Sequence, residues 1–179
     1  MTRPDGFSLP ELLVAMAIAD ILSGIGFALY QRQWQGERTN AAARELAARL
    51  DELRRRAQQK AGACHLAVDP AATTVSPAAA NTSACGDFGS LNLRAVAQGA
   101  GDLLLCVQPL DSTAACTVAT GGTTLVFTPR GTATTSALLR LHRPGDSSDR
   151  CVAVVAPLGL IRNGRANAAG GSCDYTTAF

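Results

Sequence analysis

The sequence predicts an α+β protein in which a long N-terminal helix precedes a small antiparallel β domain. Residues 12–30 are mostly apolar, and residues 31–60 lack proline and are dense in Ala, Arg, Glu and Gln, which favours a helix throughout. After Lys60 the sequence changes to short runs separated by Gly, Pro, Asp and Ser, a pattern typical of strands and turns. Few aromatic residues and six cysteines suit a thinly packed β domain stiffened by cross-links.

Length and charge limit the classes of protein to consider. The 179 residues leave room for one soluble domain with its own core beyond a single helix. The net charge of +2 is too small to indicate a nucleic-acid partner from totals alone.

Residues 12–30 have the length of a membrane anchor. At a helical rise they extend over about 28 Å, close to the ~30 Å hydrocarbon core of a bilayer. Pro10 falls in the first turn, where a missing N–H costs little, and Glu11 gains there from the positive end of the helix dipole. A carboxylate beside hydrocarbon is costly when unpaired, so Glu11 needs a partner.

The residues ahead of the apolar run form a processing signal. Gly6, Phe7, Ser8, Leu9, Pro10 and Glu11, in this order, resemble a type IV prepilin signal. The resemblance implies that prepilin peptidase cuts after Gly6, removes residues 1–6 as a leader and methylates the new amino terminus on Phe7. Because this site precedes the apolar run, the mature chain keeps residues 7–30 as its anchor. The resemblance also implies that Glu11 pairs with the amino terminus of a neighbouring subunit.

Asp20 is a second acid within the apolar run. Its spacing from Glu11 places the two acids about 180° apart on a helix, so they cannot share one counter-ion. Ala17, Ser23 and Gly24 share the face of Asp20 and would let another helix approach closely. Two interpretations stay open: Asp20 contacts one particular neighbour in an assembly, or it lies where glycines loosen the helix and admit water.

Residues 31–61 are predicted to continue the helix as an amphipathic half. One apolar stripe, at spacings of four, three and four, packs on the domain: Leu46, Leu50, Leu53 and Ala57. Gly62 is the predicted C-terminal breaker, and residues 62–179 form the β domain. The arginines at positions 54–56 are interpreted as a solvated face rather than as a phosphate contact.

Seven short strands are predicted after the helix. They cover residues 64–68, 91–96, 103–107, 124–128, 137–142, 151–155 and 158–161. Alternation in the second and fifth of these indicates half-buried antiparallel strands. Residues 70–83, rich in Ala, Thr and Asn, are predicted to form a long surface loop.

The cysteines are predicted to form disulfides, because a prepilin leader implies an oxidising periplasm. Six cysteines allow fifteen pairings. Short loops and hairpin geometry favour neighbours in sequence, which are Cys64 with Cys85, Cys106 with Cys116, and Cys151 with Cys173. A zinc site built from Cys64, His65 and His142 is rejected, because no CxxC pair accompanies these residues.

The second half of the helix and the strands resemble one group of pilins. An Ala-Arg-x-Leu-Ala segment, followed later by Phe127, Thr128, Pro129, Arg130 and Gly131 ahead of a leucine strand, is similar to the GspH/FimT group of minor pilins and pseudopilins, which includes FimU-like proteins. The resemblance implies a pilin-like fold, with the helix packed on two antiparallel sheets. It also implies a low-copy subunit that starts or caps a filament near its tip.

The same resemblance implies partners and a location. The partners would be major and minor pilins, prepilin peptidase and the inner membrane. The protein would cross the inner membrane of a Gram-negative bacterium once, with its β domain in the periplasm, and would enter a pilus or pseudopilus. A minor type IV pilin is the expected function, and a type II secretion pseudopilin is an alternative that the sequence does not separate.

DNA uptake is the other alternative within this group. Some members resemble DNA receptors with Gly-Arg-x-Arg near the C-terminus, whereas here Leu160 follows Gly159 and departs from the motif. The expected phosphate contacts are Arg162 and Arg165, joined by any that fold nearby from Arg140, Arg143 and Arg150. No aromatic residue interleaves them as a stacking platform requires, so solvated strand and loop arginines are the favoured interpretation.

Catalysis is not predicted. The sequence has two histidines and lacks a Gly-x-Ser-x-Gly elbow, a phosphate-cradling loop and a carboxylate pair at helical spacing. The expected protein is a structural subunit without a cofactor or a metal.

Overall fold

The structure, a computed structural model, describes residues 8–78, 82–85, 87–98, 103–119 and 121–176. The chain divides into two compact units, the first ending at Glu37 and the second beginning at Arg38. Helix α1 (Leu9–Gln59) contributes to both units.

In the first unit, α1 exposes its apolar side chains over residues 9–24. Every side chain from residue 8 to residue 24 is exposed. The large exposed apolar side chains of this unit include Leu12, Leu13, Val14, Met16, Ile18, Ile21, Leu22 and Phe27. Within the part of the chain that the structure describes, no helix combines the length and the hydropathy needed to cross a bilayer.

The second unit contains two antiparallel sheets. Sheet 1 has the order β3-β2-β1-β5, formed by β1 (Cys64–Asp69), β2 (Thr74–Pro77), β3 (Leu91–Asn92) and β5 (Thr123–Phe127). Sheet 2 has the order β4-β6-β7-β8-β9, formed by β4 (Leu104–Gln108), β6 (Ala137–His142), β7 (Arg150–Val155), β8 (Leu160–Ala166) and β9 (Cys173–Asp174). Two short helices, α2 (Thr82–Cys85) and α3 (Leu93–Val96), lie between β2 and β4. The predicted α+β class with two antiparallel sheets is confirmed.

The predicted apolar stripe of α1 forms one side of the main core. Its four side chains are fully buried, and they belong to the same cluster as strand residues from both sheets, among them Leu66, Phe127, Leu139 and Val154. Burying a leucine side chain contributes roughly 1.5–3 kcal/mol, so this stripe is a main link between the helix and the sheets.

Helix α1 ends in a Schellman motif. The N–H of Gly62 donates to the carbonyl oxygen of Ala57 at 3.1 Å, and the N–H of Ala61 donates to that of Gln58 at 3.3 Å. The left-handed residue is Ala61, with φ of 48°. The turn therefore begins one residue before the predicted breaker, Gly62.

Most predicted strands are present, with three differences, and β9 (Cys173–Asp174) is an additional strand that the sequence did not predict. The predicted strand over residues 91–96 is wrong after Asn92, because the Asn92 side chain accepts hydrogen bonds from the N–H groups of Arg94 and Ala95 and caps α3. The predicted loop over residues 70–83 contains β2. The predicted strand over residues 158–161 starts later, at Leu160, and extends to Ala166.

Three disulfides fasten the second unit. They join Cys64 to Cys85, Cys106 to Cys116, and Cys151 to Cys173, which is the pairing that the sequence favours. Two of the bridges hold irregular segments against sheet 2, because Cys116 and Cys173 follow long stretches without regular structure.

Candidate functional site

The predicted assembly residues of the described chain lie in the first unit. Glu11 is in the first turn of α1, and Asp20 lies about two and a half turns further along. Both side chains are exposed, and their spacing places them on opposite sides of the helix. The structure therefore does not bring these acids together. Gly6 and Phe7, the predicted cleavage and methylation site, lie outside the described residues.

The prediction that Arg140 contributes to a DNA surface is wrong, because its side chain is fully buried. Its guanidinium donates to Asp149 Oδ2 at 3.0 Å and to the carbonyl oxygens of Ser112 and Gly171 at 3.0 Å each. Ser112 and Gly171 lie in the two irregular segments that the disulfides hold against sheet 2. Arg140 therefore fastens both segments to the outer face of β6.

Asp149 is the centre of this buried network, and no sequence pattern pointed to it. Besides Arg140, its carboxylate lies 2.7 Å from Nδ1 of His142 and accepts the N–H of Gly170 at 3.2 Å. One signal for such a partner was present, because an arginine within an apolar strand must be paired if the strand is covered on both sides.

A second polar group joins two more of the predicted arginines. The Ser148 hydroxyl accepts hydrogen bonds from Arg150 at 2.8 Å and from Arg165 at 3.0 Å. Arg150 is buried, and its Nε also donates to the side-chain oxygen of Asn40 on α1. Arg150 is thus a structural residue of the second unit, whereas Arg165 keeps an exposed side chain.

The remaining predicted arginines do not converge. Arg143 is half-buried in the turn after β6. Arg162 is exposed, with its guanidinium carbon 5.1 Å from the centre of the Tyr175 ring. Because side chains alternate along a strand, Arg162 and Arg165 point to opposite faces of sheet 2. The five arginines therefore do not form one phosphate-binding face.

Two groups beside these arginines have shifted pKa values. Hydrogen bonds from the Thr176 hydroxyl and N–H lower the pKa of the Asp174 carboxyl. Asp174 is the backbone partner of Arg165 in the pairing of β8 with β9. Burial raises the pKa of Tyr175, against the opposing charges of Arg140 and Arg162.

The arginines at positions 54–56 differ from one another. Arg55 is exposed and pairs with Asp51 at 2.6 Å, as a solvated face predicts. Arg54 instead donates to the carbonyl oxygen of Gly131 at 2.9 Å. Arg56 pairs with Glu52 and lies over the ring of Phe88. These last two arginines hold loops against α1.

Comparison with known families identifies the second unit. Residues 42–158 match the family model of GspH, described as type II transport protein GspH. The chain belongs to the GspH family. The predicted relationship to the GspH/FimT group of minor pilins and pseudopilins is thereby confirmed, and this is a family of structural subunits rather than of enzymes.

Among solved structures, this GspH-family protein is similar to the crystal structure of the type IV minor pilin FimU of Pseudomonas aeruginosa. The two are 19% identical, the match covers 68% of this chain and 84% of the FimU chain, and the TM-score is 0.47. No curated protein sequence matches the chain. The family match ends at Leu158, so β8 and β9 and the arginines at 162 and 165 lie beyond it.

Proposed function

We propose that this GspH-family protein is a minor type IV pilin that helps to initiate or cap a filament near its tip. Prepilin peptidase removes residues 1–6 and methylates Phe7, residues 12–30 hold the chain in the inner membrane with the β domain in the periplasm, and the protein then enters the filament. Glu11 accepts the terminal ammonium of a neighbouring subunit. The protein carries out no catalysis and needs no cofactor.

One observation carries this proposal. The apolar side chains of residues 9–24 are exposed, while the described core belongs to the second unit. An exposed apolar surface of this size requires a cover of lipid or of other helices. The prepilin-like residues that precede this surface favour both covers, one after the other: lipid while the protein is in the bilayer, and other helices once it is in the filament.

Replacement of Glu11 tests the docking step. We expect Glu11→Gln to be cleaved and inserted normally but to be depleted from sheared filaments, because a neutral amide does not balance an ammonium in a low-dielectric core. The measurement is the ratio of the protein in the filament fraction to that in the membrane fraction. Glu45→Gln, at an exposed position on the same helix, is the matched control.

Two outcomes contradict the proposal. One is a Glu11→Gln protein that enters filaments as readily as the parent. The other is a purified mature protein whose amino-terminal residue, read by mass spectrometry, is Met1 instead of N-methylated Phe7.

A type II secretion pseudopilin is the second candidate, and the description of the matching family as a type II transport protein favours it. The anchor and the Glu11 mechanism are the same in both systems. Deletion of the gene separates them: loss of surface pili with normal secretion supports the pilin, and retained pili with secreted enzymes trapped in the periplasm support the pseudopilin.

A role in DNA uptake has less support. Arg162 and Arg165, the two exposed arginines on β8, point to opposite faces of sheet 2. Arg165 also donates to the hydroxyl of Ser148. Binding of phosphates requires several cations on one face.

A further inference from the structure

Strand β8 has an open edge over most of its length. It pairs with β7 from Leu160 to Arg165, but with β9 only at Arg165 and Ala166. The hydroxyl and the N–H of Thr176 both donate to Asp174 Oδ1, at 2.7 and 2.8 Å, and this turn ends β9. Asp174 and Tyr175 lie against Gly164. Among the described residues, no strand covers the outer edge of residues 160–163.

The backbone groups on this edge can be assigned. The N–H of Ala166 donates to the carbonyl oxygen of Asp149, at 3.0 Å, on the β7 side. Because the direction of backbone groups alternates along a strand, Ile161 and Asn163 point their N–H and C=O groups outward. An edge of this kind is a template for one more strand.

Helix α1 forms the opposite wall of a groove beside this edge. The groove has a volume of about 370 Å³, and α1 contributes Arg44, Ala47, Ala48, Asp51 and Arg54 to its lining. The side chains of Ala47 and Ala48 are small, so they leave room in the groove for a bound segment. A groove between a strand edge and a helix accepts an extended peptide as an added strand, because the edge binds its backbone and the helix its side chains.

Polar groups in the groove restrict the sequence of the bound segment. Arg44 and Arg54 stand at its two ends, about 15 Å apart along the helix. In an extended chain this distance corresponds to roughly four residues, which places two side chains of the segment on the same face at i and i+4. Asp51 is already paired with Arg55 at 2.6 Å. Arg54 donates through Nε to the carbonyl oxygen of Gly131 and keeps its terminal nitrogens as further donors, and Arg44 is exposed at the other end of the groove. The two arginines therefore favour acidic side chains at i and i+4, with a small side chain between them against the alanines.

Asn163 supplies a further requirement. Its side-chain oxygen is buried and has no hydrogen-bond partner among the described residues, although the side chain lines the groove. A buried acceptor without a donor costs about 1–3 kcal/mol. A bound segment that donates to this oxygen would remove that cost.

We propose that the groove between α1 and β8 binds an extended acidic segment of another pilin subunit as a sixth strand of sheet 2. The segment has the pattern acid-x-small-x-acid. The identification of the partner as a pilin subunit rests on the proposed function. The preferred sequence of the bound segment rests on the residues that line the groove.

The probe is a fluorescein-labelled peptide, Thr-Glu-Val-Ala-Val-Glu-Thr, with blocked ends, and the measurement is fluorescence anisotropy with the full chain in detergent micelles. We expect saturable binding that weakens about tenfold in Arg44→Glu and in Arg54→Glu. The double variant is expected to bind the corresponding lysine peptide instead. Arg94→Glu, on α3, is the control with the same change of charge and is expected to bind as the parent does.

Backbone pairing is tested on the peptide, so that the protein keeps its fold. N-methylation at alternate residues removes the donors that face β8 in one peptide and the donors that face away in another. We expect the first peptide to lose binding and the second to keep it.

Three results overturn the inference: no saturable binding of the acidic peptide, equal losses in Arg94→Glu and Arg44→Glu, or equal binding of the two methylated peptides. Failure here leaves the proposed function intact, because the filament ratio of Glu11→Gln does not depend on the groove.

Discussion

The guanidinium of Arg140 lies 3.0 Å from the carboxylate of Asp149, and both side chains are fully buried. An ion pair removed from water is retained only when further hydrogen bonds satisfy both partners. Here the loop carbonyl oxygens of Ser112 and Gly171 accept further hydrogen bonds from the arginine. The aspartate carboxylate bonds in addition to His142 and to the N–H of Gly170. The pair therefore holds two irregular segments against sheet 2.

Removal of one partner of this pair is expected to be strongly destabilising. Arg140→Met keeps much of the side-chain volume but leaves the Asp149 carboxylate without its cation, and we expect a loss of about 3–5 kcal/mol in the free energy of unfolding. The measurement is urea denaturation followed by circular dichroism. Arg55→Met is the control, because the Arg55 side chain is 70% exposed in its pair with Asp51. Its expected cost is under about 1 kcal/mol, and similar losses in the two variants would contradict this account.

The burial of Arg140 could not be predicted from the sequence. Alternation in residues 137–142 predicts a strand with one solvent-exposed face, yet Leu138 and Arg140 are both buried. On the outer face, Leu138 forms a second apolar cluster with residues of β7 and β8, and Leu110, Cys173 and Tyr175 pack against this cluster. The segments that complete this cover have no periodicity, so their position depends on two disulfides and on the Arg140 hydrogen bonds.

The parts of the fold that could be predicted are those with a strong local pattern. The stripe through Leu46 and Leu50 identifies the buried face of α1, and the pilin-like sequence around Pro129 identifies the family. Short elements such as β2 and β9 depend on pairing with a longer neighbour. At Asn92 a single side chain accepting two backbone N–H groups outweighs the apolar alternation that predicted a strand.

The candidate assembly residues could be predicted only in part. Glu11 and Asp20 are identified by their position in an apolar run, and their roles remain predictions. The groove beside β8 could not be predicted, because it depends on β9 ending after Asp174 and on α1 lying beside the edge strand.

Tyr175 is expected to introduce a pH dependence at alkaline pH. Its hydroxyl is buried without a hydrogen-bond partner among the described residues, and burial raises its pKa above the ordinary 10.0. A folded-state pKa above the unfolded one gives stability that is complete below pH 10.0 and is lost as the pH rises towards the folded value. Tyr175→Phe is expected to remove this dependence without loss of stability at pH 7, because it deletes an unsatisfied polar group.

Urea denaturation of the parent and of Tyr175→Phe between pH 8 and about pH 11 checks this sign. Tyr30→Phe is the matched control, since the chain has two tyrosines. A Tyr175→Phe protein that loses stability above pH 10 as steeply as the parent would show that another group is responsible.

Trp34 is expected to lie in the headgroup region of the bilayer before assembly. It is the single tryptophan, and its ring stacks on Tyr30 with the centroids 5.9 Å apart. If residues 12–30 span the hydrocarbon, these two rings follow directly at its boundary, where tryptophan and tyrosine are enriched. Fluorescence in vesicles should therefore be quenched more by a nitroxide on the headgroup than by one near the end of the acyl chain. Trp34→Phe gives the background, and stronger quenching from the deep nitroxide would place the anchor differently.

The exposed arginines of β8 are expected to give at most a weak affinity for DNA. Each phosphate contact adds about 0.9 to the slope of log affinity against log salt concentration. Since Arg162 and Arg165 point to opposite faces, only one of them can contact a given duplex, and we expect a slope of magnitude about 1 or less in gel shifts at two salt concentrations. The variants Arg162→Ala and Arg165→Ala should change it little, whereas Arg140→Met should change it only if the protein unfolds. A slope of magnitude about 4 or more that falls in both alanine variants would require a phosphate-binding face that includes both arginines, and would make DNA uptake the leading function.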